Sequence, residues 1–204
     1  GTEAAHYEIH VDTEAATPEL ACDSHPSADR YYPSGDLKFS WKAPMELSGV
    51  AGYYYVLDHF EGTYPDEKNG VWTRSTDKSF LNKEEGTWYF HLVAKDRAGN
   101  LSREAATLRI LIDREAAPPE VSSPTHPDQD RFYSSRDVQM TLVPPQDLSG
   151  VEGYSYCVDT DPKTVPNPDL AQVTRQTSEP RISLHNLEEG VWYAHVVTRD
   201  KAGN

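Results

Sequence analysis

Cysteine is nearly absent. Two residues, Cys22 and Cys157, in a chain of 204 cannot build a disulfide framework, so the fold must rest on an apolar core. Basic residues are also scarce: 19 Lys and Arg stand against 33 Asp and Glu, a formal charge of −14. That balance disfavours nucleic acid and anionic membrane surfaces as partners, because both repel an acidic protein. No apolar run approaches the length of a membrane-spanning helix. Catalytic signatures are missing too. There is no nucleophile elbow, no glycine loop for phosphate, no paired CxxC and no zinc-type HExxH. Scattered Ser, His and Asp residues show no spacing that would assemble a triad, and the chain reads as non-catalytic.

What is present is repetition. Ser48-Gly49-Val50-Ala51-Gly52-Tyr53 recurs as Ser149-Gly150-Val151-Glu152-Gly153-Tyr154, an offset of 101. Glu85-Gly86-Thr87-Trp88-Tyr89 recurs as Glu189-Gly190-Val191-Trp192-Tyr193, and Asp96-Arg97-Ala98-Gly99-Asn100 as Asp200-Lys201-Ala202-Gly203-Asn204, both offset by 104. The second copy therefore carries a three-residue insertion. Glu3-Ala4-Ala5 through Asp12 matches Glu104-Ala105-Ala106 through Asp113. This organisation reads as residues 1–12, the closing strand of a preceding repeat; 13–113, a first unit; and 114–204, a second unit lacking its closing strand. Cys22 and Cys157 fall at non-matching places, their counterparts being Ser123 and Val56, so two separate buried thiols are expected.

Within a unit, short alternating segments between Pro, Gly, Asp and Ser clusters indicate β-structure throughout. Pro18 to Cys22 reads as an opening strand. Leu37, Phe39 and Trp41 alternate with polar residues, as in a half-buried strand. Tyr53 to Asp58, Trp72 to Thr76, Lys78 to Leu81 and Thr107 to Ile112 read as further strands. Asn69-Gly70 reads as a two-residue hairpin turn with both residues at positive φ. In the longest strand, Trp88, Phe90, Leu92 and Ala94 form the core face, while Tyr89, His91, Val93 and Lys95 form the other. About seven strands in about 100 residues make a sandwich. The expected cores hold Trp41, Trp88 and Phe90 in one unit and Leu142, Trp192 and Val196 in the other.

These segments carry a resemblance. Leu37 to Pro44 looks like the second strand of a fibronectin type III domain, and Trp88 to Asn100 like its sixth strand and following turn. Together with Ser-Gly-Val-x-Gly-Tyr, Gly-x-Trp-Tyr and Asp-x-Ala-Gly-Asn, the whole chain resembles the Ig-like and fibronectin type III-like tandem repeats of large bacterial surface or secreted proteins. Leu142 departs from the pattern where the first unit has Trp41. The resemblance implies all-β, tandem Ig-like/fibronectin type III-like β-sandwiches. It also implies an extracellular, cell-surface or periplasmic location.

In that fold the loops after the second and sixth strands lie where the preceding linker arrives. This gathers Asp113, Glu115, Asp147 and Asp200 in the second unit, and Asp12, Glu14, Glu46 and Asp96 in the first. Oxygen-rich sets of this kind suit Ca²⁺; equally, such acids cap turns and stay solvated. No other cofactor is implied. His91 and His195 occupy matching places, but one His per unit is no metal site, and each reads as a cover for the sheet face. Asn100-Leu101-Ser102 matches a glycosylation sequon, most simply as an accident of turn chemistry. Trp72 has no aromatic counterpart, since Val173 stands in its place, and is the candidate for an exposed ligand contact.

The expectation is therefore a structural or adhesive repeat segment that acts as spacer, scaffold or interaction module. Its partners would be neighbouring repeats of the same protein. An accessory carbohydrate-binding module of a secreted enzyme is the alternative. Tyr7, Ile9 and Val11 alternate as Leu108, Ile110 and Ile112 do, so head-to-tail self-association by strand exchange is also expected.

Overall fold

The computed structural model describes residues 4–167 and 175–204, and in them holds fourteen strands and no helix. The chain divides into two units, Gly1–Asp29 with Ser34–Ile112, and Arg30–Pro33 with Asp113–Asn204. From Glu19 to Ile112 the strands are β1 (Glu19–Cys22), β2 (Tyr31–Tyr32), β3 (Leu37–Lys42), β4 (Val50–Asp58), β5 (Val71–Thr73), β6 (Asp77–Phe80), β7 (Gly86–Asp96) and β8 (Ala106–Ile112). One antiparallel sheet runs β1-β3-β6, and the facing sheet has β8-β7-β4-β5 as antiparallel neighbours.

Alternation decides which side chains enter the space between the sheets. Leu37, Phe39 and Trp41 point inward from β3 and meet Tyr53, Tyr55, Phe90, Leu92, Ala94, Ile110 and Ile112. Phe39 stacks on Phe90 with ring centroids 4.0 Å apart. Each such side chain contributes about 1.5–3 kcal/mol through burial. Trp88 packs on this core from its margin. Both cysteines are buried and unpaired.

The second unit repeats the plan. Its strands are β9 (Glu120–Ser122), β10 (Val138–Val143), β11 (Val151–Asp159), β12 (Arg175–Thr177), β13 (Arg181–Leu184) and β14 (Tyr193–Asp200). They form two antiparallel sheets, β9-β10-β13 and β12-β11-β14. Met140, Leu142, Tyr154 and Ile182 make the core, with Val196 and Ala194 against it. Among the described residues β14 pairs only with β11.

Two sequence expectations need correction. Asn69-Gly70 is not a two-residue hairpin. Neither residue has positive φ, and β4 and β5 are joined by residues 59–70. The Asp66–Gly70 turn is held instead by the Gly70 N–H on the Asp66 carbonyl and by the Asn69 side chain on the Asp66 N–H. Secondly, Trp192 is 37% exposed, outside the core, whereas His91 and Val93 of β7 are fully buried. Trp88, the counterpart of Trp192, stands opposite Ile110 of β8 and packs on the first core from its margin. Among the described residues, 4–12 pair with no strand, and Tyr7, Ile9 and Val11 are exposed.

Candidate functional site

The two repeated turn motifs build one constellation, found once in each unit. In Ser-Gly-Val-x-Gly-Tyr the glycines Gly49 and Gly150 have φ of 82° and 86°, a left-handed conformation that favours glycine. A bulge follows between Val50 and Gly52, and between Val151 and Gly153. In Asp-x-Ala-Gly-Asn, Gly99 and Gly203 are also left-handed. The two turns are tied together by the Arg97 N–H on the Gly49 carbonyl and the Lys201 N–H on the Gly150 carbonyl.

Asp96 is buried at the end of β7. Its Oδ1 accepts the Asn100 N–H at 2.7 Å and its Oδ2 accepts the Asn100 side-chain amide at 2.8 Å. The same amide donates at 3.1 Å to the backbone carbonyl of Asp12, 88 residues earlier. Asp12 in turn accepts the Ser48 N–H on Oδ2 at 3.0 Å. Its carboxyl is held below the usual carboxylate range by Ser48, against the opposing effect of burial and with the Glu14 and Thr13 N–H groups helping.

The second unit reproduces this bond for bond. Asp200 accepts from the N–H of Asn204 at 2.7 Å and from its side-chain amide at 2.7 Å. That amide donates to the Asp113 carbonyl at 2.9 Å, 91 residues away, and Asp113 accepts the Ser149 N–H at 2.9 Å. Asn100 and Asn204 thus read the backbone of the segment that enters each unit, while Asp12 and Asp113 fasten that segment to the Ser-Gly-Val turn. Because its amide is engaged on two sides, Asn100 is no free sequon asparagine.

Carboxylates converge at the same place. Asp12, Glu46 and Asp96 bring one oxygen each within 4.8 Å of one another, and Asp113, Asp147 and Asp200 do likewise. Three hard oxygen donors close together are the chemistry that Ca²⁺ takes. The fourth members of the two sequence sets lie elsewhere. Glu14 pairs with Arg103, and Glu115 is exposed. Asp147 also closes its own turn, accepting from the Ser149 hydroxyl and the Gly150 N–H. Glu46 instead accepts the Ala16 N–H.

His91 and His195 work as loop anchors. His91 Nε2 donates to the Phe60 carbonyl at 2.9 Å, and Nδ1 contacts the Thr107 hydroxyl at 2.9 Å. His195 Nε2 donates to the Asp161 carbonyl at 2.9 Å. Asp58 and Asp159 lie 3.5 Å from these rings. Burial pushes the Asp58 carboxyl upward, but the Thr63 hydroxyl, the Phe60 N–H and His91 outweigh it and hold the group low. Trp72 is 39% exposed. Its ring covers Gly52, where an added Cβ would stand 2.5 Å from the indole, and Tyr54 lies 4.8 Å away. The equivalent of Trp72 in the second unit lies outside the described residues.

No family model and no curated protein matches the chain. Solved structures do. The titin domains A168–A170 align over 91% of this chain and 61% of theirs, at 15% identity and a TM-score of 0.51. A two-domain fibronectin type III segment of chicken tenascin aligns over 88% and 89%, at 15% identity and a TM-score of 0.37. The fibronectin(III)-like modules of Clostridium thermocellum CbhA align over 91% and 87%, at 14% identity and a TM-score of 0.38. At these identities the likeness concerns the fold alone, and the likeness to the titin domains agrees with the strand plan, an all-β sandwich in each unit. No helix among the described residues is long and apolar enough to cross a membrane.

Proposed function

We propose that this chain is a non-catalytic structural segment of an extracytoplasmic protein, built of repeats that space or present other modules. The observation that carries the reading is the duplicated constellation around Asn100 and Asn204. Both units spend their most specific turn motif on holding their own entry segment. Ordering the chain where it enters a module is what a spacer requires. The acid triads at the same place are proposed to take Ca²⁺, which would offset the repulsion of clustered carboxylates and tighten the same turn.

Limited proteolysis tests the reading. In the wild type, residues 12–17 and 113–118 should resist cleavage as firmly as the strands do. Asp12→Ala and Asp113→Ala should open the respective segment while the β-sheet circular dichroism persists. Segments cut equally fast in wild type and variants would overturn it.

One observation favours the carbohydrate-binding alternative: the half-exposed Trp72 ring, presented beside Tyr54. An indole face can stack on a sugar ring. Quenching of tryptophan emission by soluble oligosaccharides, lost in Trp72→Ala, would support that alternative. No quenching would remove it.

A further inference from the structure

We infer that the outer face of β4, β5 and β7 in the first unit carries a subsite for a neutral sugar, whose pyranose ring stacks on Trp72 while two adjacent hydroxyls meet the Glu67–Lys95 ion pair. This subsite rests on the carbohydrate-binding alternative above and specifies its sugar. Its basis is a closed circuit of contacts. Tyr53 and Tyr55 point into the core, so alternation turns Tyr54 outward. Trp72 of β5 stands opposite Tyr54, with ring centroids 4.8 Å apart and planes tilted by 54°. The indole lies over Gly52, where an added Cβ would stand 2.5 Å from Cζ2 and 2.7 Å from Cη2. Gly52 pairs with Lys95 across the ladder between β4 and β7. Lys95 forms an ion pair with Glu67. Glu67 in turn accepts a hydrogen bond from the Tyr54 hydroxyl, which returns the circuit to the aromatic pair.

The parts are held in place before any ligand arrives. Glu67 sits in the Asp66–Gly70 turn, where the Asp66 carboxylate accepts the Lys68 and Asn69 N–H groups at 2.7 and 3.2 Å. Trp72 and Glu67 both reach solvent. A pyranose ring has an apolar C–H face and a rim of hydroxyls, so an indole takes the face and polar groups beside it take the rim. Adjacent equatorial hydroxyls are spaced much as the partners of a contact ion pair are. One hydroxyl donates to the Glu67 carboxylate and its neighbour accepts from the Lys95 ammonium, and bonds to charged groups are the strong ones. An exposed ion pair contributes little to folding, so stability does not account for the arrangement. The pair is neutral overall, its ammonium already faces a carboxylate, and a chain of formal charge −14 repels anions. The sugar is therefore neutral and not a uronic acid. The second unit lacks the platform. The repeat offsets put Ser155 at the place of Tyr54 and Arg199 at that of Lys95, and Arg199 lies over Gly153 where the indole lies over Gly52.

The test is calorimetric titration of the 204-residue chain with cellopentaose, a neutral β-linked glucan, and with a galacturonate oligomer of the same length. Cellopentaose should bind saturably at one site, and the acidic oligomer more weakly. Trp72→Ala should abolish binding, and Trp72→Tyr, which keeps a ring, should retain part of it. Glu67→Gln combined with Lys95→Met leaves the net charge unchanged. It should weaken binding at least about tenfold, the weight of one hydrogen bond to a charged group, with circular dichroism and unfolding midpoint as in the wild type. Binding that Trp72→Ala abolishes but the ion-pair variant leaves intact would overturn the subsite and spare the carbohydrate reading. Equal or tighter binding of the galacturonate would do the same, as would binding that survives Trp72→Ala. No binding of either sugar at millimolar concentration would overturn both.

Discussion

Asn100→Ala removes the donor that links the Asp-x-Ala-Gly-Asn turn to the chain 88 residues earlier. Two hydrogen bonds are lost, at 2.8 Å to the ionised Asp96 carboxylate and at 3.1 Å to the Asp12 carbonyl. A bond to a charged group is worth about 1.5–3 kcal/mol and one between neutral groups about 0.5–1.5 kcal/mol. Asp96 keeps the Asn100 N–H on its other oxygen, so its buried charge is not stranded. Asn100 is half-buried, which places the expected loss toward the lower end, about 2 kcal/mol. For a domain of about 100 residues that lowers the melting temperature by about 8–16 °C. Chemical denaturation followed by tryptophan emission would measure it. Asn204→Ala provides an internal replicate in the second unit, where the same two bonds are 2.7 and 2.9 Å. The double variant Asn100→Ala with Asp96→Ala should lose less than the sum of the two single losses, because both delete the same bond. Losses below about 0.5 kcal/mol in both units would refute the reasoning, since surface substitutions produce changes of that size.

Phe90→Ala empties the centre of the first core, where Phe90 is fully buried and stacked on Phe39. It should cost about 3–5 kcal/mol in the same denaturation experiment. His25 is buried, its Nε2 donates to the Ser34 carbonyl, and desolvation lowers its pKa against the opposing effect of that bond. The folded form therefore binds fewer protons than the unfolded one. Stability from this group is complete above about pH 6.5 and declines as the pH falls below it. His25→Gln should flatten that part of the profile, and an unchanged slope would contradict the assignment. Millimolar Ca²⁺ should raise both unfolding transitions, and Asp96→Asn and Asp200→Asn should each abolish the shift in their own unit. A chain that gives no heat and no thermal shift removes the cation proposal.

Much of this architecture was legible because each unit states its pattern twice. Leu37, Phe39 and Trp41 marked a core strand by alternation alone, and the three buried side chains are those three. Of the four acids grouped in each unit by equivalence of position, three bring their carboxylates near one another: Asp12, Glu46 and Asp96, and Asp113, Asp147 and Asp200. Glu14 fell away because Arg103, a partner distant in sequence, holds it elsewhere. The loop after β4 that covers His91 was not legible, because it reaches the ring through a backbone carbonyl, that of Phe60, which leaves no side-chain signature. Asn69-Gly70 misled for a related reason: Asn69 caps Asp66 through its side chain and leaves the left-handed conformation to no one. Asn100 carried a signal that could have been used. It recurs with Asp12 and with Asp113 at the same places in the repeat, and a turn residue that always accompanies a distant acid is a candidate contact.

Amide hydrogen exchange at Ser48 and Ser149 tests the central claim most directly. Each N–H donates to the carboxylate of its own entry segment, Asp12 or Asp113. The account predicts slow exchange at both in the wild type. Asp113→Ala should speed Ser149 by at least about tenfold, the weight of one hydrogen bond to a charged group, and leave Ser48 unchanged. Asp12→Ala should do the reverse. Fast exchange at both positions in the wild type, or no change at Ser149 in Asp113→Ala, would contradict the claim that each unit fastens its own entry segment.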